Sequence, residues 1–173
     1  MRTHTHVPGV VRLARAVTGG LIVPAALCLS IVVFAGPAIG KASHAGWPAI
    51  NGHLKMHKSD RNGTIRGTRR SDELLGGHGN DVILGGTASD VIWGDYKPCC
   101  QPTHQHDVLL GGNGRDFIYA SHGYNHIEAG AGNDVVHGHF GHGKIDCGTG
   151  HDVLDVSHRS RHRYRIRHCE RIR

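Results

Sequence analysis

Along the middle of the chain an aspartate is followed two residues later by an aliphatic residue, and the pair returns every nine positions. The aspartate position falls on Asp72, Asp81 and Asp90 and, after a slip, on Asp107, Asp116, Asn125, Asp134, Gly143 and Asp152. The aliphatic position is filled each time, by Leu74, Ile83, Ile92, Leu109, Ile118, Ile127, Val136, Ile145 and Leu154. Ile65, behind Gly63, fits as a weaker further unit. Nine residues are too few for a helix and a strand together, but they suit a tight turn and a short strand. One aliphatic side chain per unit cannot bury itself, so the units must stack on one another. The β-branched pairs Val82-Ile83, Val91-Ile92 and Val135-Val136 favour strands. The apolar residues also lack helical spacing. Glycine, at 26 of 173 residues, is about twice as frequent as usual. With aromatics at only 5% of the chain, a core of large rings is excluded. The glycines instead serve turns that need positive φ or close backbone approach. The expected class is all-β.

If two units make one coil, turns eighteen residues apart stack on the same side. Asp90 and Asp107 are seventeen apart, and the intervening Gly94-Asp95-Tyr96-Lys97-Pro98-Cys99-Cys100-Gln101-Pro102 reads as a loop within one turn. One column of turns then carries Asp72, Asp90, Asp116, Asp134 and Asp152, all acidic. The opposite column carries Asp81, Asp107, Asn125 and Gly143 and weakens toward the C-terminus. Parallel strands lie about 4.8 Å apart. Like charges at that spacing repel by about 1 kcal/mol in water and by more where desolvated. A cation between them turns the repulsion into cohesion. Ca²⁺ suits the role: it takes about six to eight oxygen ligands in irregular geometry, and glycine-rich turns offer carbonyls beside the carboxylates. Mg²⁺ demands a smaller, stricter octahedron. The best sites are expected between Asp116, Asp134 and Asp152, and weak or absent ones at Asn125 and Gly143. The competing reading is a metal-free solenoid in which Asp serves turn geometry.

The segments Gly76-Gly77-His78-Gly79-Asn80-Asp81-Val82-Ile83-Leu84 and Gly111-Gly112-Asn113-Gly114-Arg115-Asp116-Phe117-Ile118-Tyr119 resemble the repeats-in-toxin (RTX, hemolysin-type) calcium-binding nonapeptide. Gly85 to Asp90, Ala129 to Asp134 and Cys147 to Asp152 match it nearly. The resemblance covers roughly Gly67 to Val156. It implies a right-handed parallel β-roll (β-solenoid) of nine-residue repeats, with calcium between stacked turns. The implied ligands are the carboxylates of Asp72, Asp81, Asp90, Asp107, Asp116, Asp134 and Asp152. Turn positions Gly77, Gly79, Gly86, Gly112, Gly114, Gly130, Gly132, Gly148 and Gly150 complete the implied set. The ending, with Ile145-Asp146-Cys147-Gly148 and later Cys169-Glu170-Arg171-Ile172, resembles the close of small exported bacterial relatives. Toxins and proteases of the family use a C-terminal export signal. This chain offers an N-terminal one and no room for a separate catalytic domain, so those activities do not carry over.

The outer segments differ from the repeat. Arg2, Arg12 and Arg15 precede an apolar stretch from Leu21 to Ala35, closed by Gly36-Pro37. That is the layout of a cleaved secretory signal over residues 1–42, and the run is short for a membrane anchor. A linker is expected over 43–62, the roll over 63–156 with an insert at 94–106, and a basic capping tail over 157–173. In the tail, Arg163-Tyr164-Arg165-Ile166-Arg167-His168 alternates like a strand that could close the stack. Beyond the signal, Cys99, Cys100, Cys147 and Cys169 suggest disulfides in an exported chain. Three pairings remain open, and Cys147–Cys169 would tie the tail to the last repeats. Charge is segregated: Ser71 to Val156 has a net −9, whereas Lys41 to Arg70 and Ser157 to Arg173 each have +6. An acidic middle is not the profile of a nucleic-acid groove. The basic tail offers a contact to anionic cell-envelope polymers, although a solvated end is the simpler account.

The sequence therefore points to a secreted, monomeric, calcium-binding roll with a structural or interaction role at the cell exterior. It contains no nucleophile elbow, HExxH or phosphate loop, and no enzymatic activity is expected. The alternative is a secreted His/Cys-rich binder of zinc or copper, through His137-x-His139-x-x-His142 or His104-x-His106. Surface substitution is the simpler account of those histidines, since His78, His122 and His151 also fall in turns.

Overall fold

The computed structural model describes residues 46–57, 60–97, 100 and 102–173. The expected signal segment lies outside them, as does Cys99. The chain coils between two parallel sheets, one half-coil to each. The first sheet is built from β1 (Leu54–Met56), β3 (Glu73–Leu75), β5 (Val91–Trp93), β7 (Phe117–Tyr119), β9 (Val135–His137), β12 (Val153–Asp155) and β14 (Arg171–Ile172), paired in that order. The second runs β2 (Gly63–Arg66), β4 (Asp81–Gly86), β6 (His106–Asn113), β8 (Tyr124–Gly132), β10 (His142–Asp146) and β13 (Tyr164–Arg167), with the short β11 (Thr149–Gly150) also on β8. A single helical turn, α1 (His158–Arg161), is the one helix among the described residues. This is a parallel β-solenoid, as the repeat requires.

The register follows the aliphatic position of the repeat. In the second sheet Ile65, Ile83, Leu109, Ile127, Ile145 and Ile166 lie side by side. In the first, Leu74, Ile92, Ile118, Val136, Leu154 and Ile172 do the same. The two ladders face each other and form one core, in which Leu74 through Leu154 are essentially inaccessible to water. Among the described residues the first ladder finishes at one end on Lys55, which is paired with Leu74, and the Lys55 ammonium donates to the Arg66 carbonyl.

The stack extends beyond residues 63–156 in both directions. β1 falls inside the expected linker, and β13 and β14 carry the basic tail into both sheets. The end strands can depart from the repeat pattern because each is paired along one edge only. A disulfide joins Cys147 to Cys169, with Cα atoms 5.1 Å apart. Outside the first sheet, Trp93 stacks on Tyr119 and Tyr119 on His137, at centroid distances of 4.0 and 4.4 Å. Trp47 packs across Trp93 and Tyr119 and donates its indole N–H to the Tyr119 hydroxyl.

Candidate metal site along the stacked turns

The strand register stacks Asp72, Asp90, Asp116, Asp134 and Asp152 immediately before β3, β5, β7, β9 and β12, and all five are buried. Their carboxylates are chained to the backbone. The amide of Asp72 donates to Asp90 Oδ1 at 2.7 Å, and that of Asp90 to Asp116 Oδ1 at 2.7 Å. Asp116 donates likewise to Asp134, and Asp134 to Asp152, both at 2.8 Å. The chain continues: the Asp152 amide donates to Glu170 Oε2 at 2.8 Å, and at the other end the His53 amide donates to Asp72 Oδ1. Glu170 therefore takes the place of a sixth aspartate.

The second oxygens divide into two groups. Asp72 Oδ2 accepts from the Thr68 amide and hydroxyl, so its turn is satisfied locally. Oδ2 of Asp90, Asp116, Asp134 and Asp152 is buried with no hydrogen-bond partner. A buried carboxylate oxygen left without a donor is costly unless it is protonated or meets a cation.

Carbonyls converge on these same oxygens. A Cβ added to Gly111 would lie 2.2 Å from the Ala129 carbonyl oxygen and 2.5 Å from Asp116 Oδ2. At Gly85 the corresponding atoms are the Gly111 carbonyl oxygen at 2.3 Å and Asp90 Oδ2 at 2.7 Å. A Cβ at this first turn position would fill the oxygen-lined space. At the next position, Gly112 has φ +110° and its Cβ would meet the Gly86 carbonyl oxygen at 2.1 Å. Gly86, Gly130 and Gly148, and behind them Gly114, Gly132 and Gly150, repeat the positive φ and the stacking.

Burial is the main cause that raises these acids in the absence of a cation. It lifts Asp116 to about 8, with help from its neighbours Asp134 and Asp90, and lifts Asp90 and Asp134 to about 6. Asp152 is raised too, by burial and by Glu170. Asp72 falls below the usual range: burial opposes this, but hydrogen bonds from His53 and Thr68 outweigh it.

The opposite column is filled with protein donors. Gly77, in the turn that also contains Gly79, donates its amide to Asp81 Oδ2 at 2.9 Å, and the His57 ring lies 3.1 Å from Asp81 Oδ1. The Asp81 amide donates to Asp107 Oδ1. Asp107 Oδ2 accepts from the Ser121 hydroxyl at 2.5 Å, while burial lifts Asp107 to about 7. Asn125 accepts from Ser121 through Oδ1 and donates through Nδ2 to the Tyr164 hydroxyl. Tyr164 in turn donates to the Phe140 carbonyl at 2.6 Å. The tail thus sends a phenol to the place where the aspartates of this column end.

Orphaned carboxylate oxygens, adjacent carbonyls and hard donors throughout fit a calcium ion and fit no soft metal. A family model described as RTX calcium-binding nonapeptide repeat (4 copies) matches residues 59–95, 110–145 and 123–154. The roll is built of RTX calcium-binding nonapeptide repeats. Its cofactor is Ca²⁺, and calcium binding serves the structure of the roll. No curated protein and no solved structure matches the chain.

Within this RTX roll, the first-position carbonyls of Gly111 and Ala129 line the same space as the orphaned oxygens, although neither residue is in the ligand set that the resemblance implies. Glu170 also goes unnoticed in a search for Asp, although it stands eighteen residues after Asp152. The histidine pattern is divided: His137 and His139 lie beside Asp155, whereas His142 packs against Tyr124. Among the described residues, His104 and His106 form no metal-ligand cluster.

Proposed function

We propose that the chain is a secreted protein whose first column of turns holds calcium at Asp90, Asp116, Asp134 and Asp152, making a calcium-dependent structural or interaction module at the cell exterior. The observation that carries this reading is the set of four buried Oδ2 atoms without partners. Calcium supplies the positive charge that these oxygens lack. The turns supply carbonyls from the Gly86, Gly112, Gly130 and Gly148 positions and from the residues before them. The Gly114, Gly132 and Gly150 positions keep neighbouring turns close enough to share an ion. Asp72, Asp81 and Asp107, with Gly77 and Gly79, are weaker ligands in this proposal, because their oxygens already accept protein hydrogen bonds. The exposed Arg159, Arg163 and Arg165 of the tail offer positive charge to anionic envelope polymers. Export is supported by the layout of residues 1–42 and by the disulfide. No helix among the described residues is long and apolar enough to cross a membrane.

Calorimetric calcium titration of the purified, chelator-treated chain tests the assignment, with far-UV circular dichroism as the folding readout. Asp116→Asn and Asp134→Asn should each weaken calcium binding by about tenfold or more, the loss of one charged ligand. Magnesium should not substitute. Unchanged calcium binding in both variants would move the ions away from this column.

A further inference from the structure

The outer face of the first sheet carries a cluster of different chemistry. Val136 and Leu154 point into the core, so the next residues along their strands, His137 and Asp155, point outward. They are direct neighbours in the parallel register of β9 and β12. His139 lies two residues beyond His137. His137 Nδ1 is 3.7 Å from Asp155 Oδ2, and His139 Nε2 is 3.4 Å from Asp155 Oδ1. One donor atom from each of the three residues falls within 4.8 Å of the other two. We propose that His137, His139 and Asp155 form a site for a divalent transition-metal ion such as Zn²⁺, distinct from the calcium column.

The donor set decides the class of ion. Two imidazoles and one carboxylate suit zinc and its neighbours and do not suit calcium, which takes oxygen ligands. Zinc holds such ligands at about 2.0–2.1 Å, so tetrahedral donors stand about 3.3 Å apart. The separations from the two Asp155 oxygens, 3.7 Å to His137 and 3.4 Å to His139, are already close to that value. All three side chains remain partly exposed, which leaves a fourth position for water.

The site is braced by neighbours that have no part in the calcium column. The His137 ring lies flat on Tyr119, with an interplanar angle of 3°, and Tyr119 lies flat on Trp93. Trp47 fixes the Tyr119 hydroxyl. The His139 carbonyl accepts a 2.6 Å hydrogen bond from the Ser160 hydroxyl. One feature opposes metal binding: Arg173 Nη2 lies 3.7 Å from Asp155 Oδ2 and competes as a cation for the same carboxylate. This opposition gives the test two signs.

Zinc is titrated into the full chain in saturating calcium, with calorimetry for stoichiometry and Co²⁺ absorption as a probe of nitrogen ligation. The expected result is one site whose affinity falls at least about tenfold in His139→Ala and in Asp155→Asn. Arg173→Gln should strengthen binding. Circular dichroism and the calcium midpoint show whether each variant still folds. If a ligand variant loses its calcium transition, Arg173→Gln still carries the test through its opposite effect. Zinc binding that survives both ligand replacements unchanged overturns the proposal, as does an unaltered chain that binds no zinc. Either result leaves the cluster as a histidine–aspartate surface network.

Discussion

Each aspartate of the first column uses its two oxygens differently. Oδ1 is committed to the amide of the preceding turn, so the carboxylate is a structural tie whether or not an ion is present. In Asp90, Asp116, Asp134 and Asp152, Oδ2 has no such donor. The pH response follows from this division. An unfolded aspartate titrates near 3.9. Burial raises Asp116 to about 8 and Asp90 and Asp134 to about 6 in the calcium-free fold. Their protonation therefore favours folding most fully below about pH 4, and that contribution is lost as the pH rises through about 6 to 8. Without calcium, thermal unfolding should show Tm falling between pH 5 and pH 8, with a smaller fall in Asp116→Asn. With calcium, ion binding displaces protons, so the calcium-induced gain in Tm should grow over the same range. At this scale the sequence was legible where a residue repeats. Asp116 and Ile118 could be placed by counting. The Ser121–Asp107 bond could not, because it joins turns whose contact depends on how the insert folds.

Among the elements, the tail shows why boundaries were harder to read than repeats. The alternation from Arg163 to His168 reads as a strand, and β13, over Tyr164–Arg167, forms within it against β10. Leu54 to Met56 lacks the Asp and Gly signature, yet it forms β1. An end strand needs backbone pairing and no turn site of its own. The Cys147–Cys169 disulfide closes the loop that contains α1 and β13. For a loop with a sequence separation of 22, such a bond contributes about 3 kcal/mol by limiting the unfolded chain. Reduction, or Cys147→Ser with Cys169→Ser, should lower stability by about that amount in denaturant titrations. β14 should lose protection from hydrogen exchange first. Because Glu170 precedes β14 and accepts from Asp152, calcium binding at that end should weaken in the same variant. A reduced chain that keeps both its stability and its C-terminal calcium binding would contradict this account of the tail.

For the whole molecule, one period organises both the core and the acidic column. The aliphatic rung and the acidic turn lie two residues apart, so a register that stacks one also stacks the other. The fold class was legible for that reason, whereas the outer aromatic stack of Trp47, Trp93 and Tyr119 was not. Trp93 and Tyr119 share one repeat position, directly after Ile92 and Ile118, but that position holds no constant residue type along the chain, and Trp47 lies outside the repeat. Lys55 has a consequence at this scale. Identical rungs carry no instruction about where to stop, and the bare edge of such a sheet is a template for another copy. A charged rung at β1 ends the series by making the next addition bury an ammonium. Lys55→Leu should restore the template, giving concentration-dependent particles in light scattering in calcium, while the parent chain stays a single size. In polymer terms, the roll is a chain-terminated oligomer of its own repeat, and one lysine acts as the terminator.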